Sequence, residues 1–339
     1  MTTKAKLLRR LTDHRHHWVS GEDLSHGLGI SRTAVWKQIN NLKADGHRIL
    51  SAPKKGYCLE QIADRVDAEA LQAMVRTRVM GRSTVRVLKE TDSTNLQAKM
   101  MADQKAPEGS LVVADTQTLG RGRRGRTWHS PAGRNIYASL ILRPRLAPAQ
   151  APQITLMAAV ALARTLQTSA ALDAKIKWPN DVMVGGKKIA GILTEISTDM
   201  ESVAYVVVGF GINVNIREAE VPEEIRPIAT SIHMQSGTET SRTRLLCDLM
   251  ENIETAYDLL NDKGFGPVMA QWRAMTDIIG QRVVVDVMGQ RHTGTVAAVD
   301  DDGVLILNDD RGVVHRILSG DVTRLRPEDS RSGVANGLQ

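Results

Sequence analysis

Between residues 84 and 216 the apolar stretches follow one another with a single long helix among them, and that order excludes most α/β architectures. The stretches are Thr84 to Leu88, Ser110 to Asp115, Ile136 to Leu142, Ile176 to Val184, Ile189 to Ile196 and Ala204 to Phe210; the helix is about Gln153 to Thr168. Parallel strands need a crossover helix between each pair, so a doubly wound parallel sheet is disfavoured and a mixed or antiparallel sheet with helices on one side is expected. Val182 to Ile189 reads as a hairpin turning on Gly185 and Gly186. Strict alternation then puts Lys188, Ala190 and Ile192 on one face and Lys187, Ile189 and Leu193 on the other. Only one lysine of the pair can point into a site.

The chain of 339 residues is long enough for two or three domains, and its charge is unevenly spread. Residues 1 to 60 hold 11 Lys and Arg against 5 Asp and Glu, which is the whole net excess of +6. Ser20 can cap a short helix with Leu24 and Leu28 on its apolar side and Gly29 at its end. Ser31 can cap a second, Arg32 to Ala44, with Val35, Ile39 and Leu42 as the buried stripe. Arg32, Thr33, Trp36, Lys37 and Asn40 are left on its outer side, among them side chains able to reach phosphates and base edges. Two short strands joined by a basic turn at Lys54 and Lys55 follow. The pattern is a winged helix-turn-helix that binds DNA, or a small helical module used for protein contacts.

Gly120 to Arg126 alternates three glycines with four arginines. Glycine lets backbone approach an anion closely, and guanidinium forks cannot lose their charge, so the loop suits a phosphate. It has neither the P-loop nor the dinucleotide spacing, and such a tract could also bind single-stranded RNA or be a solvated loop. Asp92 to Asn95 follows a strand and can cap the next helix or hydrogen-bond a small polar ligand. Lys177 to Asp181 packs a cation, Trp178, a rigid proline, an amide and a carboxylate into five residues, and Gly209 to Asn213 lets the chain pass close to something flat.

At these residues the sequence resembles the bifunctional biotin protein ligase and biotin operon repressor family. The resemblance rests on Ser93-Thr94-Asn95, Gln117 with the loop Gly120 to Arg126, Trp128 and Ser130, Lys177 to Asp181, Lys188 to Leu193 and Gly211-Ile212-Asn213. It covers about residues 84 to 216 and agrees with the winged helix of residues 1 to 60. It implies an α+β multidomain chain: a winged helix-turn-helix over 1–64, a biotin- and ATP-binding catalytic domain over 65–278 with a class II synthetase-like sheet, and an SH3-like β-barrel over 279–330; the residues 331–339 lack apolar anchors and are expected to be a frayed tail.

The implied activity has two steps, formation of biotinyl-5′-adenylate from biotin and ATP with Mg²⁺, then transfer to a lysine of a carboxylase's carrier domain. Lys188, Arg123 and Asp181 are then the catalytic candidates, Asp181 being equally a turn-capping carboxylate. Ser93, Thr94, Asn95, Gln117, Arg121, Gly122, Arg123, Trp128, Lys188 and Gly191 are candidates for biotin, Trp128 being equally a core residue. Arg121, Arg123, Arg124, Lys177, Asn180 and Asn213 are candidates for ATP, and Arg32, Thr33, Trp36, Lys37, Asn40, Lys54 and Lys55 for operator DNA. No metal ligands are expected beyond ATP's own Mg²⁺. The arginine loop should be mobile when empty and close over the adenylate. Residues 217–236, where the family covers the adenine, match weakly and hold no tryptophan.

Thr243 to Asp262 reads as an amphipathic helix, and four short strands separated by Gly/Asp turns follow Gly280. The start of the chain lacks a secretory pattern, no apolar run is long enough to span a membrane, and Cys58 and Cys247 form no metal spacing, so a cytoplasmic protein is expected. A homodimer is expected if the operator is palindromic. The rival readings are a DNA-binding regulator that senses a small carboxylic acid without catalysis, and a lipoate-type ligase.

Overall fold

The computed structural model describes residues 2–61, 66–199 and 202–324. The expected division at 64/65 and the expected tail over 331–339 lie outside the described residues.

The N-terminal part is three helices and a hairpin: α1 (Thr3–Asp13), α2 (Gly21–Leu28), α3 (Arg32–Ala44), β1 (Arg48–Ala52) and β2 (Gly56–Gln61). Ser20 accepts a hydrogen bond from the Asp23 N–H and Ser31 from the Ala34 N–H, and Gly29 takes the left-handed conformation at φ 64°. These local bonds satisfy N–H groups that a helix start leaves open, which is why short helices hold here. Helix α1 was not foreseen within the basic start; Leu7, Leu8 and Leu11 are its buried stripe and complete the core around Val35, Ile39 and Leu42. Helix α4 (Ala68–Met74), capped by Asp67, packs against α1 on one side and the later helix Arg242–Lys263 on the other.

The central sheet takes the strands β3 (Val85–Thr91), β4 (Leu111–Gln117), β5 (Ile136–Leu142), β6 (Lys175–Lys177), β7 (Asp181–Val184), β8 (Lys187–Thr198) and β9 (Val203–Ile212). Their order is β3-β4-β5-β9-β8-β7-β6, with β3 and β4 parallel and every other pair antiparallel, so the sheet is mixed. Trp178 to Asn180 turns the chain and splits the single stretch Ile176 to Val184 into β6 and β7.

Helices cover both faces, not one. α6 (Pro152–Ser169) and α8 (Arg242–Lys263), with α9 (Phe265–Ala274), bury one face against Leu111, Val113, Val206 and Val208. α5 (Thr94–Asp103) lies on the other with Val112, Ile141 and Val207. The sequence of α5 concealed this because its buried side is built of Ala98 and Ala102, too small to give a strong apolar stripe. Large side chains on α6 such as Ile154, Met157 and Leu162 are fully buried, each contributing roughly 1.5–3 kcal/mol relative to exposure. The short helix α7 (Ile232–Ser236) closes the segment that follows β9.

The C-terminal part is a five-stranded antiparallel sheet of β10 (Arg282–Val287), β11 (Gln290–Val299), β12 (Leu305–Asp309), β13 (Val314–Ile317) and β14 (Asp321–Arg324), ordered β13-β12-β11-β10-β14. The fifth strand, β14, was not among the four expected. Trp178 joins this part to the centre: its indole is buried and its Nε1 donates to the Gly303 carbonyl at 3.0 Å. Among the described residues no helix is long and apolar enough to cross a membrane.

Candidate functional site

On the α5 face, Tyr137, Gly211, Gly191, Asp181 and Lys177 pair in one row across five strands. Two adjacent glycines in that row make a trough, and the Trp128 indole fills it. A Cβ on Gly211 would lie 2.5 Å from Trp128 Cε2, and one on Gly191 would lie 3.2 Å from Trp128 Cζ3. The flat object that the Gly209 to Asn213 stretch must pass is therefore a side chain of the protein itself.

Lys188 reaches the same trough, and it does so because of a β-bulge. Val182 pairs with Ala190 but Met183 pairs with Lys188, so Ile189 is an extra residue in β8. Strict alternation placed Lys188 with the buried Ala190 and Ile192; the bulge turns it instead to the face of Asp181 and Gly191. Its Nζ lies 2.7 Å from Asp181 Oδ1 and 5.2 Å from the centre of the Trp128 ring. Lys187 points elsewhere, into a cavity of about 330 Å³ with Gly185, Glu218, Val221, Arg226, Ala229, Thr230, Met234 and Gln235. That cavity is walled by residues of 217–236, which run beside β8: Lys188 N–H donates to Ile228 O and Thr230 N–H to Lys188 O. Asn213 borders this segment, its Nδ2 donating to Thr230 O at 2.9 Å.

The polar turn sits at the other end of the trough. Ser93 holds the N-cap position of α5 without a side-chain cap bond, so its buried hydroxyl is not spent on the helix. Thr94 N–H donates to Gln117 Oε1 at 2.8 Å, and Gln117 Nε2 donates to Ser130 Oγ at 3.1 Å. Ser130 in turn donates to Trp128 O, and Trp128 N–H donates to Gly120 O at 2.8 Å. Turn, strand end and arginine loop are thus one hydrogen-bonded unit. Asn95 is buried below them and spends both amide protons inward, on Leu193 O and Glu195 Oε2. Asp92 beside the turn is held below the usual carboxylate range, first by the Ser93 N–H and then by Thr91 and Gln97.

The arginine loop is not the contact-free segment expected from its glycines. Arg123 donates to Asn180 Oδ1 at 3.0 Å, to Ser319 Oγ at 2.9 Å and to Gly320 O at 3.3 Å. Arg124, in the left-handed region at φ 55°, pairs with Asp286 at 3.0 Å and Asp321 at 3.4 Å, and Arg126 also pairs with Asp321. The C-terminal sheet holds the loop. Arg121 is exposed, its backbone bridged to Thr127, and Gly122 N–H donates to Arg126 O at 2.7 Å. Asn180 also donates to Ile192 O at 2.8 Å, which ties the Lys177 to Asp181 turn to β8.

Ser139, Glu195, Ser319, Asp286 and Asp321 were not singled out from the sequence. Glu195 did carry a signal: it is a charge at an alternate position, after Gly191 and Leu193. The contacts from residues 286 and 319–321 had none, because nothing local marks a turn as the partner of a loop about two hundred positions away.

On the winged helix, Arg32, Thr33, Trp36 and Lys37 are exposed along α3, Asn40 is half-buried, and Lys54 and Lys55 are exposed at the hairpin turn. Trp36 keeps 58% of its surface in solvent, high for a tryptophan, and Arg32 pairs with Glu22 at 2.5 Å. Lys55 Nζ lies 5.9 Å from the Trp18 ring.

Residues 85–213 match the biotin/lipoate A/B protein ligase family, 3–58 an HTH domain, and 278–324 the biotin protein ligase C-terminal domain. The chain is 37% identical over 281 residues to the bifunctional ligase/repressor BirA of Bacillus subtilis, covering 82% of this chain and 86% of that protein. It is 32% identical over 285 residues to the protein of the same name from Escherichia coli, covering 83% and 85%. In structure it resembles the biotin protein ligase from Aquifex aeolicus in complex with biotin and ATP, with a TM-score of 0.62, 30% identity, and coverage of 72% of this chain and 99% of that one. By these likenesses and by its three-part architecture, the chain belongs to the biotin protein ligase family, in the bifunctional form that carries a helix-turn-helix domain.

Proposed function

We propose that this protein is an ATP-dependent ligase that forms biotinyl-5′-adenylate and passes biotin to a lysine of a biotin carboxyl carrier domain, and that it is also a biotin-responsive transcriptional repressor. The observation that carries the reading is the trough, where Lys188, Trp128, the Thr94–Gln117 unit and the arginine loop meet on one sheet face.

In the first step the biotin carboxylate attacks the α-phosphate of ATP and pyrophosphate leaves. Two anions must approach, so a positioned cation is the main requirement. Lys188 is that cation, poised by its ion pair with Asp181. When the ammonium turns to the reacting oxygens, Asp181 is released to accept a proton from the incoming lysine amine in the second step. Arg121, Arg123 and Arg124 are assigned to the phosphates, with Lys177 and Asn180 beside them. The ureido ring is assigned to Ser93, Thr94, Gln117 and the backbone at Gly122, with Trp128 and Gly191 as the wall. Asn95, having spent its protons, supports the turn from below. The adenine is assigned to the cavity beside Lys187, with Asn213 at its edge.

Among the described residues no group of three or more His, Cys, Asp and Glu side chains gathers to hold a metal ion. Mg²⁺ is assigned to the nucleotide's own phosphates, where it would neutralise developing charge.

For the repressor role, α3 is assigned to the major groove and Lys54 and Lys55 to the flanking phosphates, and a palindromic operator calls for a homodimer. Among the described residues β7 pairs with β8 only as far as Gly191, so Thr194 to Thr198, with the exposed Ile196, offer an open edge, and we assign dimer pairing to it. Its action is placed in the cytoplasm, with its ATP, carrier and operator.

The test is incubation with ATP, magnesium, biotin and a carrier domain, followed by mass measurement of the carrier. One added biotin per carrier, with biotin-dependent ATP–pyrophosphate exchange, is expected. No exchange would favour the non-catalytic regulator, and transfer of lipoate instead would favour the lipoate-type ligase. Operator binding that biotin plus ATP fails to strengthen would remove the repressor half.

A further inference from the structure

Trp36 follows the buried Val35 on α3, yet it turns away from the stripe of Val35, Ile39 and Leu42. With the rest of the described chain in place, 58% of its surface stays in solvent. Among the described residues no hydrogen bond or ring contact holds its indole. A single exposed apolar side chain is ordinary on a protein surface, but the surroundings of this one are not. Thr33 lies one turn before it, Asn40 one turn after, and Lys37 beside it, all on the outer side of the helix. Residues 1 to 60 carry the whole net charge of +6, so what covers this face is a polyanion.

Several polar side chains of α3 are engaged within the domain. Arg32 is held by Glu22 at 2.5 Å, Gln38 accepts from Asn41 at 3.4 Å, and Lys43 donates to Ser51 at 2.8 Å. The indole is the large group left open. In the major groove the base edges present one apolar group, the C5 methyl of thymine, with the O4 acceptor next to it. An indole meets both, since its ring covers the methyl and its Nε1, a donor only, gives to O4. Cytosine presents an amino donor and no methyl, and the purine edges present no apolar group.

We propose that Trp36 sets the sequence preference of the winged helix by selecting a thymine in each half-site through its C5 methyl. Lys37, Lys54 and Lys55 attract any duplex; the indole distinguishes one base from another. The inference deepens the repressor reading and rests on it.

The test starts from random-sequence duplexes long enough for two half-sites, selected on the full chain with biotin, ATP and magnesium. The wild type should enrich a palindrome with a fixed thymine in each half. Replacing that thymine by deoxyuridine removes only the methyl, and should weaken binding about fourfold in one half-site and about fifteenfold in both. Trp36→Ala should select the rest of the site without that thymine, and should bind the thymine and deoxyuridine duplexes within about twofold of each other. Trp36→Phe keeps an aromatic face and should keep the dependence on the methyl. Should Trp36→Ala fail to fold, which thermal unfolding reports, Trp36→Gln takes its place with the same expected loss of methyl dependence. Enrichment of the same thymine by Trp36→Ala, no effect of deoxyuridine at any selected thymine, or a variant weakened equally on all sequences would overturn the proposal. A wild type that enriches no sequence would instead overturn the repressor reading beneath it.

Discussion

Gly211→Ala puts a methyl group where the Trp128 indole now rests on the sheet. The new Cβ would lie 2.5 Å from Cε2, 2.7 Å from Nε1 and 2.8 Å from Cζ2, whereas ordinary contact begins near 3.4 Å. One of the two must yield by nearly 1 Å. Gly211 is paired on both sides, with Tyr137 in β5 and Gly191 in β8, so the strand is held and the indole has to lift. Trp128 N–H is bonded to Gly120 O, and the indole lies beside Lys188, so the lift reaches both the arginine loop and the ammonium. Overpacking of this kind costs about 1–3 kcal/mol of stability. A displacement of about 1 Å in a positioning group can cost roughly a hundredfold in rate. Thermal unfolding should fall by a few degrees, and kcat/KM for biotin in pyrophosphate exchange should fall by about a hundredfold. In a Trp128→Ala background the same substitution meets empty space and should add little to the loss, which a double-mutant cycle measures. An equal cost in both backgrounds would refute the reasoning.

Lys188→Met should reduce pyrophosphate exchange to background while leaving thermal unfolding nearly unchanged, since the side chain is only partly buried. Asp321→Asn removes the carboxylate charge shared by Arg124 and Arg126, so trypsin should cut the loop faster in the ligand-free protein, and a cleavage rate equal to wild type would discount the C-terminal sheet as its anchor. Lys37→Ala should weaken operator binding and lower the salt dependence by about one counterion, with biotin transfer to the carrier unchanged.

Much of the fold was legible because its signals are local. Ser20, Ser31 and Asp67 cap the helices they precede, and the runs Ile136 to Leu142 and Ala204 to Phe210 are strands within a few residues of their expected bounds. Helix α1 was missed because its leucines are interleaved with Lys4, Lys6, Arg9 and Arg10, so composition outweighed periodicity. The mixed sheet followed from the shortage of crossover helices, yet helix cover on its second face did not, because α5 buries alanines and a row of polar side chains.

Sequence alone determined the residue types that the chemistry requires: a lysine pair at a hairpin, guanidinium groups set among glycines, a short hydroxyl and amide turn, and an outward basic face on a capped helix. What those groups do to one another was decided by tertiary structure. The bulge at Ile189 chose Lys188 over Lys187, and the docking of Arg124 and Arg126 on Asp321 gave the glycine loop a partner far along the chain. The inward turn of Asn95 set the supporting network against Gly209. Register shifts, long-range ion pairs and close packing are properties of elements brought together from distant positions, and their energies appear only once the sheet has closed.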